Sequence, residues 1–353
     1  MKKFLKIFLI LLLAVLIGAA GLIAWLSITE YRPRSVEPLE VTGGSDHPKI
    51  SLGEELKILC WNIGYGGLGK DSDFFMDGGE NVQSADEATV KSYLNGIKET
   101  VDRENADLIM LQEIDSDSKR SYGIDQRTYF GGSDDNAAYA MNYSCDFVPF
   151  PLPPIGKVNS GLYTLAEGYA IDAAERRALP CPFKWPVSTA NLKRCLLVSY
   201  MPIEGSDKQL VLVNLHLEAY DDGAGKLAQR MMLEQFLTEE YEKGNYVIAG
   251  GDFNQSFQRS HSLYPIKNPE LWLPGAIPDN YMPEGWTLAY DETVPTCRLL
   301  NQPYEPSDEE NTQHFVIDGY ILSPNVELIE VRTLDEEFAN SDHNPIILKA
   351  ILK

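Results

Sequence analysis

The sequence predicts an α/β domain built on two packed sheets, set behind one N-terminal helix long enough to cross a membrane. Three observations carry that prediction. Ile7–Ile28 is an uncharged apolar run of 22 residues, enough for a bilayer span. Beyond it, several short strand-like runs alternate with only a few helical patterns and long polar loops, the signature of sheets with helices on their outer faces. The 353 residues, 44% hydrophobic and 23% charged, are sufficient for a large core and ordinary for a globular chain.

The N-terminal residues come first. "MKKFLK" places three lysines on the short leading side of the span, so residues 1–6 are expected in the cytoplasm, residues 7–28 as the anchor and the body outside. "GAAG" offers a signal-peptidase site, but five apolar residues continue past it, which favours an uncleaved anchor over a secretory signal. Arg32 and Arg34 weaken the charge asymmetry without reversing it. Residues 29–55 mix Pro, Gly, Ser and acids and read as a linker, leaving 56–353 as one catalytic-sized domain.

That body is strongly acidic. Residues 1–34 hold five basic residues and one acidic one, leaving 25 basic against 51 acidic, a net of −26, on the rest. Attraction to a nucleic-acid backbone needs positive surface, so the charge disfavours a polyanion partner; should the chain act on phosphate esters, anchor and acidity together favour a phosphorylated small molecule or lipid head group over duplex DNA. Arg176, Arg177, Arg194 and Arg298 are the local cations through which a nucleic acid could still be admitted. The five cysteines form no zinc-type pair. Cys60 reads as a small buried residue, and a Cys181–Cys195 bridge stays open.

"ELKILCWN" opens the domain, with Leu56, Ile58 and Cys60 on one strand face that ends at Asn62. Val90, Tyr93, Leu94, Ile97 and Val101 recur at helical spacing and lead into the strand "DLIMLQE", which ends at Glu113. "LVLVNLHLE" is a further strand, Asn214 and His216 sharing a face. A helix follows, with Ala228, Met232, Leu233, Phe236 and Leu237 as its apolar side, and then the strand "NYVIAGGDFN". "HFVIDGYILS" and "SDHNPIILKAILK" complete the set, while residues 114–160 and 256–314 read as loop-rich.

Polar residues recur where these runs end: Asn62, Glu113, His216, Asp252 with Asn254, and Asp342 with His343. Each alone reads as a turn or a solvated strand end; five together point to a site. Glu113 and Asp342 supply hard oxygens and Asn62 a neutral one, a set suited to Mg²⁺ or Mn²⁺ rather than zinc. Asp252 is placed to take a proton from water, and Asn254 to donate to a developing oxyanion. His216 and His343 can contact phosphoryl oxygens or protonate a leaving group, with Asp318 orienting one imidazole.

In order, "WNIG", "LQEID", "NLHLE", "GGDFN", "IDGYILS" and "SDHNPI" resemble the signature segments of the endonuclease/exonuclease/phosphatase superfamily, which includes nucleases, inositol polyphosphate phosphatases and neutral sphingomyelinases. The resemblance spans about Leu56 to Lys353. It implies a four-layer αββα sandwich of two mixed sheets with a Mg²⁺-dependent (or Mn²⁺-dependent) site at one rim. It also implies Asn62, Glu113 and Asp342 as metal-side residues, His216 as the phosphate-contacting histidine, Asp252 as the water-orienting base with Asn254 beside it, and Asp318 as support for His343. Gly64 stands where nucleases often carry a second Asn, and Arg230 matches a frequently basic position. The expected activity is a metal-dependent phosphoesterase at the outer side of the cell membrane; the alternatives are a DNA or RNA endonuclease of the same fold and a non-catalytic surface module.

Overall fold

A computed structural model describes residues 1–353 except 45, 84 and 309. The apolar N-terminal run forms α1 (Lys2–Thr29), long and apolar enough to span a membrane. Three α-helices, six short 3₁₀ helices and eighteen strands account for the regular structure among the described residues. The strands are β1 (Val36–Leu39), β2 (Val41–Thr42), β3 (Glu55–Asn62), β4 (Leu108–Asp115), β5 (Asn136–Val148), β6 (Gly156–Ala166), β7 (Ala173–Ala178), β8 (Cys195–Pro202), β9 (Gln209–His216), β10 (Tyr246–Asp252), β11 (Gln255–Phe257), β12 (Gly275–Ile277), β13 (Thr287–Ala289), β14 (Cys297–Arg298), β15 (His314–Phe315), β16 (Asp318–Leu322), β17 (Val326–Thr333) and β18 (Ile346–Leu352). The helices α2 (Glu87–Glu104) and α3 (Ala224–Glu242) complete the domain.

Two seven-stranded mixed sheets stack face to face, one in the order β1-β7-β8-β9-β10-β16-β13 and the other β17-β18-β3-β4-β6-β5-β2. Strand periodicity explains the layering. Ile58 and Cys60 of β3 and Leu210 and Leu212 of β9 face the space between the sheets, where they join one core. Leu59 and Trp61 of β3 face outward onto Val90, Leu94 and Ile97 of α2. Val211 and Val213 of β9 face outward onto Leu233, Phe236 and Leu237 of α3. Both faces of each central strand are therefore buried, giving the expected αββα sandwich. The helix α2 starts where the Asp86 carboxylate accepts the Thr89 amide at 2.8 Å and stops at Asn105 in left-handed backbone, an ordinary cap at either end.

Two segments differ from their sequence readings. The expected linker, 29–55, contributes an edge strand to each sheet: β1 pairs with β7 and β2 with β5, and Ile50 is buried in the central core. These strands are short and mixed in polarity, as edge strands are, so no run stands out. The stretch 114–160, read as loop, holds all of β5 and the first half of a β5–β6 hairpin. Bulges at Met141/Tyr143 and Cys145/Val148 break its alternation. By contrast, 256–314 holds only strands of two or three residues and one short 3₁₀ helix. All five cysteines are free, with Cys181 exposed and Cys195 buried, so the bridge left open between them is not made.

Candidate active site

The inward-facing positions of five strands turn polar at one rim of the sandwich. On β3 the inner face runs Ile58, Cys60, Asn62; on β9, Leu210, Leu212, Asn214, His216; on β10, Ile248, Gly250, Asp252. Register brings the ends together, since Asp252 pairs with His216 on one side and Asp318 of β16 on the other. Behind them Gln112 and Asn214 share a 2.7 Å hydrogen bond, a buried polar layer between core and site.

Glu113 arrives by a different route. Parity along β4 would aim it at α2, but the β4–β6 register slips between Leu111 and Ile114, and Glu113 itself takes φ 56°. That left-handed residue inside a bulge costs a non-glycine on the order of 1–2 kcal/mol and turns the carboxylate toward the rim. There it accepts from Asn62 Nδ2 at 3.3 Å.

The "GGDFN" turn has the same logic. A side chain at Gly251 (φ +149°) would meet the Leu215 carbonyl oxygen at 1.9 Å, and one at Gly250 the Tyr320 ring at 2.5 Å. Two glycines therefore let β10 lie close to its neighbours, and Asn254, at φ 50°, folds back so that its amide donates to Asp252 Oδ1 at 2.7 Å. Gly64 finds its reason here too: a Cβ at that position would sit 2.7 Å from Asp342 Oδ1.

Asp252 is the centre of the arrangement. Its Oδ2 lies 3.1 Å from Asn62 Nδ2, 3.4 Å from Asn254 Nδ2, 3.4 Å from His216 Nε2 and 3.7 Å from His343 Nε2. His343 Nδ1 meets Asp318 Oδ2 at 2.8 Å, and Thr296 Oγ1 accepts the Asp318 amide to hold that strand end. All eight residues named from the sequence thus meet in one place, and seven of them line one cavity of about 680 Å³, Asp318 standing behind His343.

Burial and neighbouring charge separate the two histidines. Burial works against a charge on His343, but the carboxylates of Asp318 and Asp252 outweigh it and hold the ring well above the ordinary histidine range. Burial, with Arg194 and His343 nearby, holds His216 well below that range. The surroundings thus favour the imidazolium form at His343 and the neutral ring at His216. Asp252 is pushed up to about 7, by burial first, and Asp342 to about 6 by burial, with Glu113 adding to it against His343.

The donor set fits a hard divalent cation. Glu113 and Asp342 face the same cavity, repel one another, and neither has a lysine or arginine within ion-pair distance among the described residues. Asp252, Asp318 and His343 also place ligand atoms within 4.8 Å of one another, but the Asp318–His343 hydrogen bond already uses Nδ1, which leaves the Glu113–Asp342 side as the better cation position. Asn62 points its amide nitrogen at Glu113 and Asp252 while its Oδ1 accepts from Gly64 N at 3.1 Å, so its place is to bridge the two carboxylates.

The sequence profile of the endonuclease/exonuclease/phosphatase family matches residues 59–343. The chain belongs to this family. Its members are generally hydrolytic on phosphoester bonds and typically depend on a divalent metal. Solved structures agree on the fold. The family protein from Beutenbergia cavernae DSM 12333 matches with a TM-score of 0.53 at 14% identity, over 84% of this chain and 72% of its own. The Bacteroides vulgatus member gives 0.53 at 14% identity over 85% and 100%. A functionally unknown conserved protein from Enterococcus faecalis V583 gives 0.51 at 15% identity over 84% and 100%. No curated protein sequence matches the chain.

Some residues of the cavity escaped the sequence reading. Arg120 lines it, pinned by Asp115 at 2.9 Å and lying 3.7 Å over the Tyr65 ring; its only signal was a basic pair just past a strand end. Of the four arginines noted, Arg194 alone lines the cavity. Arg176 and Arg298 are buried on backbone carbonyls, and Arg177 pairs with Glu175. Arg230 donates to the Ala276 carbonyl, a helix-packing role away from the site.

Proposed function

We propose that the protein is a membrane-tethered, divalent-metal-dependent phosphoesterase acting on the outer side of the membrane. The observation that carries this reading is the Asp252 carboxylate, buried among two amides and two imidazoles of opposite protonation preference. Water attack on phosphorus needs a base for the water proton and an acid for the leaving oxygen. Asp252, oriented by Asn62 and the Asn254 amide, accepts the proton of the attacking water. The water oxygen joins phosphorus, the P–O ester bond breaks, and the leaving oxygen takes the Nε2 proton of His343, whose Nδ1–H is held by Asp318. Neutral His216 and the Asn254 side chain donate to the phosphoryl oxygens, and Arg120 and Arg194, ion-paired with Asp115 and Glu218, line the same cavity. Glu113 and Asp342 would hold the cation, with Asn62 behind them; when bound, it withdraws charge from the phosphoryl group.

The acidic body supports a small or lipid-borne phosphoester over a nucleic acid, and the docking of α1 on the domain supports a retained anchor over a cleaved signal. The lysines of "MKKFLK" support an external body.

Two results check these assignments. Asp318→Asn removes the charge that favours the imidazolium form of His343, so its pKa falls. The alkaline limb of kcat, where His343 loses its proton, then moves to lower pH by about one unit or more, as a pH–rate profile would record. Second, Asp252 and Asp342, raised in the folded protein above the ordinary carboxylate value of about 3.9, hold more protons folded than unfolded between about pH 4 and 7. Their contribution to stability therefore declines as pH rises through that window. A cation held by Asp342 must displace its proton, so the rise in melting temperature on adding Mg²⁺ is larger at pH 8 than at pH 5.5; an equal rise at both would contradict the assignment.

A further inference from the structure

The catalytic cavity is walled on one side by the membrane helix. Leu22, Ile23 and Leu26 of α1 line the same space as Glu113, Asp252 and His343. Leu26 is only 5% exposed, packed with Tyr143, Val148 and Val158 of the β5–β6 hairpin. Polar contacts fix the helix end: Trp185 Nε1 donates to Ser27 Oγ at 2.9 Å, and Lys193 pairs with Glu30 at 2.7 Å. At about 1.5 Å per residue the 22-residue apolar run covers about 33 Å, close to a hydrocarbon core of about 30 Å. Leu22–Leu26 therefore sit where acyl chains meet head groups on the far side.

The rim of the cavity continues that surface. Phe150, Leu152, Trp185 and Val187, on two loops beside the helix end, are 69%, 89%, 64% and 57% exposed. Large apolar side chains so exposed on an acidic domain call for a covering phase, and tryptophan favours the bilayer interface. A water-borne substrate would have no use for an apolar wall running from this rim to the carboxylates.

We propose that the substrate is a phosphoester lipid drawn from the leaflet in which α1 ends. Its phosphate reaches Asp252 and His343, and an acyl chain lies against Leu22, Leu26 and Val148. This rests on the phosphoesterase reading. The step is the one described above: water adds to phosphorus, the ester P–O bond breaks, and the products are an alcohol and a phosphate, one of them still carrying the acyl chains.

The test uses the full chain reconstituted with Mg²⁺ in vesicles of phosphatidylethanolamine and phosphatidylglycerol, with bis(p-nitrophenyl) phosphate as a soluble ester. Lipid hydrolysis is expected, and in Phe150→Asp/Leu152→Asp the ratio of lipid to soluble-ester turnover falls about tenfold or more. With the Asp252→Ala chain, a phospholipid bearing a photoactivatable acyl chain should crosslink to residues 22–26 and 148–150. Soluble-ester turnover with intact vesicle lipid, or crosslinks confined to residues 4–17, would overturn the lipid assignment and leave the phosphoesterase reading standing. Turnover of neither ester would overturn both.

Discussion

Asp252→Ala is expected to lower turnover of a phosphoester by about 10²–10⁴-fold with the fold intact and KM little changed. The substitution removes the carboxylate in contact with both imidazoles and both amides, the only one so placed among the described residues. Folding survives because Asp252 is held against its own desolvation and against Asp318; losing it leaves the Asn254 backbone N–H without its acceptor while Asn62 Nδ2 keeps Glu113, a cost of about 1–3 kcal/mol, partly offset by the repulsion removed. The two sheets and their core are untouched. Circular dichroism and a melting curve establish the fold, and single-turnover kinetics the rate. A near wild-type rate would remove Asp252 from the chemistry.

Glu113→Gly separates function from stability in opposite directions. Glycine occupies φ 56° without the penalty that glutamate incurs there, so the melting temperature is expected to hold or rise. The same change deletes a hard oxygen of the cation position, and apparent Mg²⁺ affinity should fall by about 100-fold or more, the upper end for disturbing even an outer partner of a metal. Strain kept at a functional position and relieved by an inactivating change is the behaviour expected of a site residue. Metal titration of activity alongside calorimetry reads both. A variant that is less stable and binds Mg²⁺ normally would make the left-handed Glu113 a packing feature only.

How much of this was legible in the sequence depended on periodicity. The apolar strand runs ended in polar residues at inward positions, so Asn62, His216 and Asp252 could be read from alternation, and "GGDFN" announced a turn whose two glycines prove to be steric necessities. Glu113 was named from its segment, yet its parity points the wrong way; only the bulge and left-handed backbone aim it, and a bulge leaves no mark in hydropathy. The edge strands β1 and β2 were hidden because short, mixed-polarity segments resemble linkers. β5 was hidden because two bulges interrupt its alternation. The apolar rim lay in loops, "PFPLPP" and "FKWP", where prolines and scattered large side chains carry no periodic signal. Their meaning depends on lying beside α1, a relation between positions more than a hundred residues apart.

The most direct measurement is a crystal structure of the protein with Mn²⁺, read by anomalous difference density. A peak bound by Glu113 within the cavity, on the Asp342 side of Asp252 and with the Asp318–His343 hydrogen bond intact, is the predicted result. A peak held instead between Asp252, Asp318 and His343, or none in the cavity at saturating Mn²⁺, would contradict the account.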